Sequence, residues 1–438
     1  MKRLSWIDSS TMMLGRPLVV FCIALAMRLI LLAIVGSPNP FIGDDQQDYL
    51  GLSDQLVATG SYRDPRTLEL TAYRDPGYPS FLAVLSLVGV EATQTIVVVQ
   101  IMLSALTGAL LVRVAGLVSG SNAARGAGML FLLHAAFATY PLFIYPETLF
   151  CALLGLILLA LQWWMRSGNI AAQSVVGVLV AVALLTRFAA SLGIALLVGS
   201  TILSRPRLRT STWWLILLIP ALTVFGWSWR NYHAVGSFAP NTSGAVNVYL
   251  GNNSLDESSR PGGGSEDLGV WDPLEALSEG KRPARSIQLA FGFFRDHPAM
   301  AFKQVLTKVP ESLEFDRMFI GLSRRGEFPA RTERLLLTVG ALVALMSLVP
   351  YAMCLSAAFR PESDWLWRGA ILFGLGILAV EIMTVAHSRY SMPGWMALIP
   401  SAGMYLSRFD WTDSRYQRSA MLAASILLLV WLRQFMAG

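Results

Sequence analysis

The chain has 438 residues, of which 54% are hydrophobic, 14% charged and 11% aromatic, with 13 Trp and a net charge of +6. A soluble domain is about 25% charged, so this composition excludes an ordinary soluble globule. The excess of Lys and Arg does not form a nucleic-acid-binding patch either, because these residues fall in small groups between apolar runs.

Taken in chain order, "MKRLSWIDSSTMMLGRP" precedes an apolar run of about 20 residues with no A-x-A cleavage site, which reads as an uncleaved first span. Spans are predicted at 17–36, 94–118, 125–144, 146–165, 171–186, 188–203, 213–229, 335–357, 368–386, 390–406 and 419–436. The fold class is therefore an all-α polytopic membrane protein with about eleven transmembrane helices. It divides into an N-terminal membrane module (1–229) containing a first external loop (37–93), a large external loop (230–334) and C-terminal spans (335–438). The apolar segment "YPSFLAVLSLVGV", from Tyr78, is too short to span and is read as re-entrant or interfacial. In the large loop, the Gly/Ser-rich stretch 254–269 is expected to order over a cavity when substrate binds. The part from Pro283 to Leu313 has helical apolar spacing, suited to helices near the membrane surface.

Charge asymmetry gives the orientation. With the N-terminus cytoplasmic, short internal loops and span ends carry 14 basic residues, and the short external turns near Pro146, Arg187 and Arg389 carry two. Three cysteines, all inside predicted spans, and four histidines without ligand spacing point to neither a disulfide nor a zinc site.

The first external loop is rich in acids. "SPNPFIGDDQQDYLGLSDQL" sets Asp44 and Asp45 just past the first span, behind a turn stiffened by two prolines and a glycine. A carboxylate at the lipid–water boundary is well placed to take a proton from an acceptor hydroxyl, and two adjacent carboxylates raise one another's pKa. Asp48 and Asp54 are instead read as the solvated side of an amphipathic helix whose apolar side is Tyr49, Leu52 and Leu56. Other polar groups share that depth: Glu147 in "YPETLF", Arg187 in "LLTRFAASLG", Arg230 and Asn231 in "WSWRNYHAV", and His387, Arg389 and Tyr390 in "TVAHSRYSMPGW". Each alone suits an interfacial anchor or a helix-start acid; together they form a cationic ring able to hold a lipid-linked phosphate. Arg28, mid-span, is read as structurally paired.

The ordered set "DDQQDYLGLSDQLVATGSY", "YRDPGYPSFLAVL", "YPETLF", "LLTRFAASLG", "RNYHAVGSFAPNTSGAVNVYLGNN" and "RYSMPGWMALIPSAG" resembles bacterial membrane glycosyltransferases of the GT-C superfamily. The branch is that of dolichyl-phosphate-mannose–protein mannosyltransferases and lipid A aminoarabinose transferases. The resemblance implies a polyprenyl-phosphate sugar donor, an inverting transfer to a lipid, glycan or protein acceptor, and an active site on the external side of the bacterial inner membrane. It implies a catalytic acid in the first loop at Asp45 or Asp44, a second carboxylate at Glu147, and donor-phosphate binding by Arg74, Arg230 and Arg389, with His387 beside them. No cofactor is required, although Asp44 and Asp45 have the chemistry to hold a divalent ion. A lysine of the aminoarabinose transferases has no clear counterpart here. Two other readings compete: a flippase or transporter of lipid-linked glycans, which would line a mid-membrane path with charge, and a surface-polysaccharide polymerase or ligase, for which Arg324, Arg325 and His297 offer a weak signal.

Overall fold

The computed structural model describes residues 13–35, 45–204, 213–255, 269–313, 338, 347–359, 364–410 and 412–436. Among these, regular structure is helical apart from one antiparallel bridge between Arg63 and Leu70. The first helix, α1 (Pro17–Val35), shows why it sits at the rim of the bundle. Val20, Ala24, Arg28 and Leu31 recur at helical spacing and are buried, while Leu18, Ile30 and Ile34 are exposed on the opposite side. After it come α2 (Asp45–Thr59) and α3 (Gly77–Leu87), which pack on each other, and the long α4 (Thr93–Ser119).

The predicted span 125–144 is not one helix. α5 (Ser121–Leu133) stops at His134, the short α6 (Ala135–Thr139) follows, and a 3₁₀ turn at Tyr140–Leu142 leads into extended backbone before Pro146. Breaking a helix inside a bundle frees carbonyl and amide groups that must find partners. Arg28 supplies one: its Nε donates to Phe137 O at 2.9 Å and to Ser104 Oγ at 2.9 Å, and its Nη1 to Ala24 O at 3.0 Å. The structural pairing expected of Arg28 is thus with a freed carbonyl rather than with an acid. Gln100 supplies another, donating from Nε2 to Phe143 O at 2.7 Å while its Oε1 accepts from Tyr78 OH at 2.7 Å. Gln46, on α2, accepts from Ile144 N at 2.9 Å. These polar side chains hold the unwound stretch 140–145 against the first loop.

The next helix, α7 (Pro146–Ser167), opens with proline at its first position and closes on Gly168 in the left-handed region at φ 63°. It lies at the centre of the molecule, packed on α4, on α8 (Ile170–Thr186) and on a C-terminal helix described below. α8 is capped by Asn169, whose Oδ1 accepts from Ala172 N at 2.8 Å. Then come α9 (Ser191–Leu203), α10 (Trp214–Val235) and α11 (Ser243–Leu250). The large loop adds α12 (Asp272–Glu275), α13 (Arg282–Asp296) and α14 (Pro298–Ser312). The chain finishes with α15 (Ser347–Ala358), α16 (Trp365–Met383), α17 (Ser388–Arg408) and α18 (Ser414–Met436). α17 packs on α5, α7 and α16, and α9 packs on α16. In that last crossing, a Cβ added to Gly376 would lie 2.6 Å from Gly193 Cα, so only two glycines permit the approach.

Four described helices, α1, α4, α7 and α16, are long and apolar enough to cross a bilayer. The protein is therefore an integral membrane protein built of helices. The predicted span 335–357 lies largely outside the described residues, as does most of the stretch 254–269 expected to close over a cavity.

Candidate active site

The ends of α7, α8, α16 and α17 meet the start of α2 and the loop before α3, and charged side chains from all of them gather there. Asp45 is the first residue of α2, where the helix dipole favours a negative charge. Its Oδ1 accepts from Arg74 Nη2 at 2.5 Å and its Oδ2 from Arg389 Nη2 at 2.7 Å. Burial raises the pKa of Asp45, but Arg74 and Arg389 outweigh burial and hold the carboxyl well below the usual carboxylate range. Arg74 also donates to Asp48 Oδ2 at 2.8 Å, and Asp48 Oδ1 accepts from Arg66. Asp48, expected on a solvated face, is instead a second carboxylate of Arg74. Asp44 lies outside the described residues.

Glu147, in the first turn of α7, is 1% exposed. Its Oε1 accepts from Arg187 Nη1 at 2.5 Å and lies 3.3 Å from Arg389 Nε, while its Oε2 has no hydrogen-bond partner. Arg389 therefore bridges the carboxylates of Asp45 and Glu147. Aromatic rings flank these cations: Arg389 sits over Tyr145 and Tyr390 at 4.5 and 4.9 Å, and Arg187 over Tyr390 at 4.8 Å. Such faces attract guanidinium and keep it planar-on without adding negative charge.

Asp75 joins the first loop to the end of α8. Its Oδ2 accepts from Phe188 N at 3.0 Å and its Oδ1 from Asn241 Nδ2 at 2.6 Å. Burial pushes its carboxyl up to about 6, partly offset by Asn241, the Phe188 amide, Arg187 and Arg74. The contact requires Gly77: a Cβ there would lie 2.6 Å from Thr186 Oγ1 and 2.7 Å from Thr186 N. Backbone against backbone, Gly77 and Thr186 bring Arg74 and Asp75 beside Arg187.

These groups line a cavity of about 310 Å³, with Arg74, Asp75, Glu147, Arg187 and Arg389 in its wall. Ile377 belongs both to this cavity and to an almost wholly apolar groove of about 130 Å³ between α14, α15, α16 and α17. Among the described residues, no three His, Cys, Asp or Glu side chains cluster as a metal site requires.

Of the residues singled out in the sequence, the structure brings together Asp45, Arg74, Glu147 and Arg389. Arg230 stands apart from the cavity wall. Its Nη1 donates to Thr71 O at 2.5 Å and its Nη2 to Tyr62 O at 2.9 Å, over the Trp227 ring at 5.0 Å, so it clips the first loop to α10. His387 caps α17, its Nδ1 accepting from Arg389 N at 3.0 Å. Arg324 and Arg325 lie outside the described residues, and His297 forms the junction of α13 and α14, its amide donating to Phe293 O at 2.8 Å. Sequence reasoning left Asp75, Arg187, Asn241 and Glu381 out of the site. For Arg187 and Glu381 the signal was available, since each is an ionisable residue set in an apolar run. Asp75 and Asn241 carry no such mark.

No family model and no curated protein matches the chain. Among solved structures it is similar to ArnT from Cupriavidus metallidurans bound to undecaprenyl phosphate, at 14% identity and a TM-score of 0.44, over 89% of this chain and 77% of that one. It is similar to the Archaeoglobus fulgidus oligosaccharyltransferase in the apo form, at 12% identity and a TM-score of 0.46, over 94% of this chain and 56% of that one. The archaeal oligosaccharyltransferase AglB from Archaeoglobus fulgidus, in complex with an inhibitory peptide and a dolichol-phosphate, gives 15% identity and a TM-score of 0.44, over 94% and 55%. The chain spans about half the length of both oligosaccharyltransferase chains. At these scores the likeness says nothing of which residues act or on what.

Proposed function

We propose that this protein is a GT-C-type membrane glycosyltransferase that moves a sugar, with inversion, from a polyprenyl-phosphate donor to an acceptor hydroxyl on the external face of the bacterial inner membrane. The observation that carries the reading is the convergence of Arg74, Arg187 and Arg389 with Asp45 and Glu147 around one cavity, next to an apolar groove at Ile377. A lipid-linked sugar phosphate needs that combination: cations for the phosphate, a carboxylate for the incoming hydroxyl and apolar surface for the chain.

In this mechanism the donor phosphate takes Arg74 and Arg389 from Asp45, because phosphate oxygens accept the same guanidinium donors. Asp45, released from its two cations, becomes a stronger base beside the acceptor. The acceptor oxygen attacks the anomeric carbon and its proton passes to Asp45. The bond from that carbon to the phosphate oxygen breaks, and its electron pair leaves with the phosphate. The arginines stabilise the growing phosphate charge. Glu147 holds Arg187 and steadies Arg389, so it positions the cations.

The test is release of prenyl phosphate by the purified protein from a panel of prenyl-phosphate-linked hexoses and pentoses, with membrane extract as the source of acceptor. Release from at least one donor is expected. Absence of both release and binding across the panel would overturn the reading.

A further inference from the structure

The mechanism leaves one charged group in the cavity wall without a task. Glu381, near the end of α16, is 3% exposed and lines the cavity with Ser243, Asn247 and Thr384. Neither of its carboxylate oxygens has a hydrogen bond of good geometry. Ser312 Oγ faces it from α14 but donates to Lys308 O at 3.1 Å. Nearby cations are already engaged. Lys308 donates to Asn252 Oδ1 at 2.9 Å and to Ile382 O at 3.0 Å, and Arg187 is held by Glu147 at 2.5 Å.

A buried carboxylate without donors destabilises the fold that contains it, and buried polar groups are otherwise satisfied. Its neighbours in the wall are uncharged hydroxyls and an amide, and the space in front of it suits a small polar ring. Two carboxylate oxygens on one side of such a ring match two adjacent hydroxyls, each donating one hydrogen bond. We propose that Glu381 is a specificity-determining residue that accepts hydrogen bonds from neighbouring hydroxyls of the transferred sugar, away from its anomeric carbon. This rests on the glycosyltransferase reading and adds the group that selects the sugar. The division of labour follows from the placement of charge: cations read the phosphate, and the lone acid reads the ring.

The experiment compares wild type with Glu381→Gln and Glu381→Ala in detergent. Probes are a short-chain prenyl phosphate, its glucoside, galactoside and mannoside, and each monodeoxy analogue. Binding is followed by calorimetry and thermal midpoints are measured without ligand. In the wild type, removal of one ring hydroxyl of the preferred hexose should weaken binding by roughly 10- to 100-fold. In Glu381→Ala that penalty should vanish, while prenyl phosphate binds as in the wild type. Without ligand, both variants should melt at or above the wild-type temperature, because they remove an unpartnered buried carboxylate, whereas a structural role would lower it. A wild type that binds prenyl phosphate with deoxy penalties identical to those of both variants would overturn the role of Glu381 alone. A wild type that binds none of the probes would overturn the glycosyltransferase reading together with it.

Discussion

At Asp45, two arginines and one carboxylate are balanced against each other. Arg74 and Arg389 occupy both oxygens of Asp45, so the acid competes with any incoming anion for the same cations. Asp45→Asn keeps the shape but removes both the negative charge and the capacity to take up a proton. Turnover should fall by about 10²–10⁴-fold, while prenyl phosphate binds at least as tightly as in the wild type; single-turnover kinetics and calorimetry separate the two effects. Weakened phosphate binding with unchanged turnover would reverse the assignment. Asp75 offers a pH prediction. Its carboxyl is raised to about 6 in the folded protein against an ordinary value near 4. The folded state therefore holds that proton more tightly than the unfolded chain. The stability linked to it is fully present below about pH 4 and is lost as the pH rises through about 6, at most about 3 kcal/mol. Asp75→Asn should flatten the pH dependence of the thermal midpoint between about 4 and 6. An unchanged pH profile in that variant would count against the assignment.

Among the elements, the first loop is bound to the bundle at several points, and each one sets where Arg74 and Asp45 lie. Arg230 holds the carbonyls of Tyr62 and Thr71. Glu279, in the large loop, accepts from Thr71 Oγ1 and Ala72 N, both at 2.8 Å, and from Thr242 Oγ1 at 2.9 Å. Gln46 and Gln100 tie α2 and α4 to the unwound stretch before α7. The tightest approach is that of Gly77 to Thr186. Gly77→Ala has no space without parting α3 from α8, and a displacement of about 1 Å at a reacting group can lower the rate by on the order of 10²-fold. The variant should therefore lose turnover out of proportion to any fall in thermal midpoint, as measured on the same preparation. Equal activity in the two proteins would mean that the loop tolerates the shift.

Over the whole molecule, the charged cavity gathers residues from the first loop, the start of α7, the end of α8, the end of α16 and the start of α17, so one end of the bundle carries the chemistry. With that end external, 37–93 and 230–334 face outside and 205–209 faces the cytoplasm. Single cysteines introduced at Ser254 and at Ser211 report the two sides. An impermeant thiol reagent applied to intact cells should modify the cysteine at position 254 and spare that at 211. Labelling at 211 would invert the arrangement. The native thiols interfere little, since Cys151 and Cys354 are buried.

Composition alone determined that this chain is a helical membrane protein, because 54% apolar residues in long runs leave no other way to satisfy the backbone in lipid. Runs of about 20 apolar residues located α1, α4, α7 and α16 closely, and the acids and arginines beside their ends marked most of the candidate site. The break at His134 was not legible, since residues 125–144 are apolar throughout and the reason for unwinding lies in distant partners, Arg28, Gln46 and Gln100. The same holds for the division of the arginines. Arg230 and Arg389 both follow or precede an aromatic-rich helix end, and only packing turned one to backbone carbonyls and the other between two carboxylates. Periodicity reports which face of a helix is apolar; which polar groups from different helices meet is decided by helix crossings, and those depend on contacts far apart in the chain.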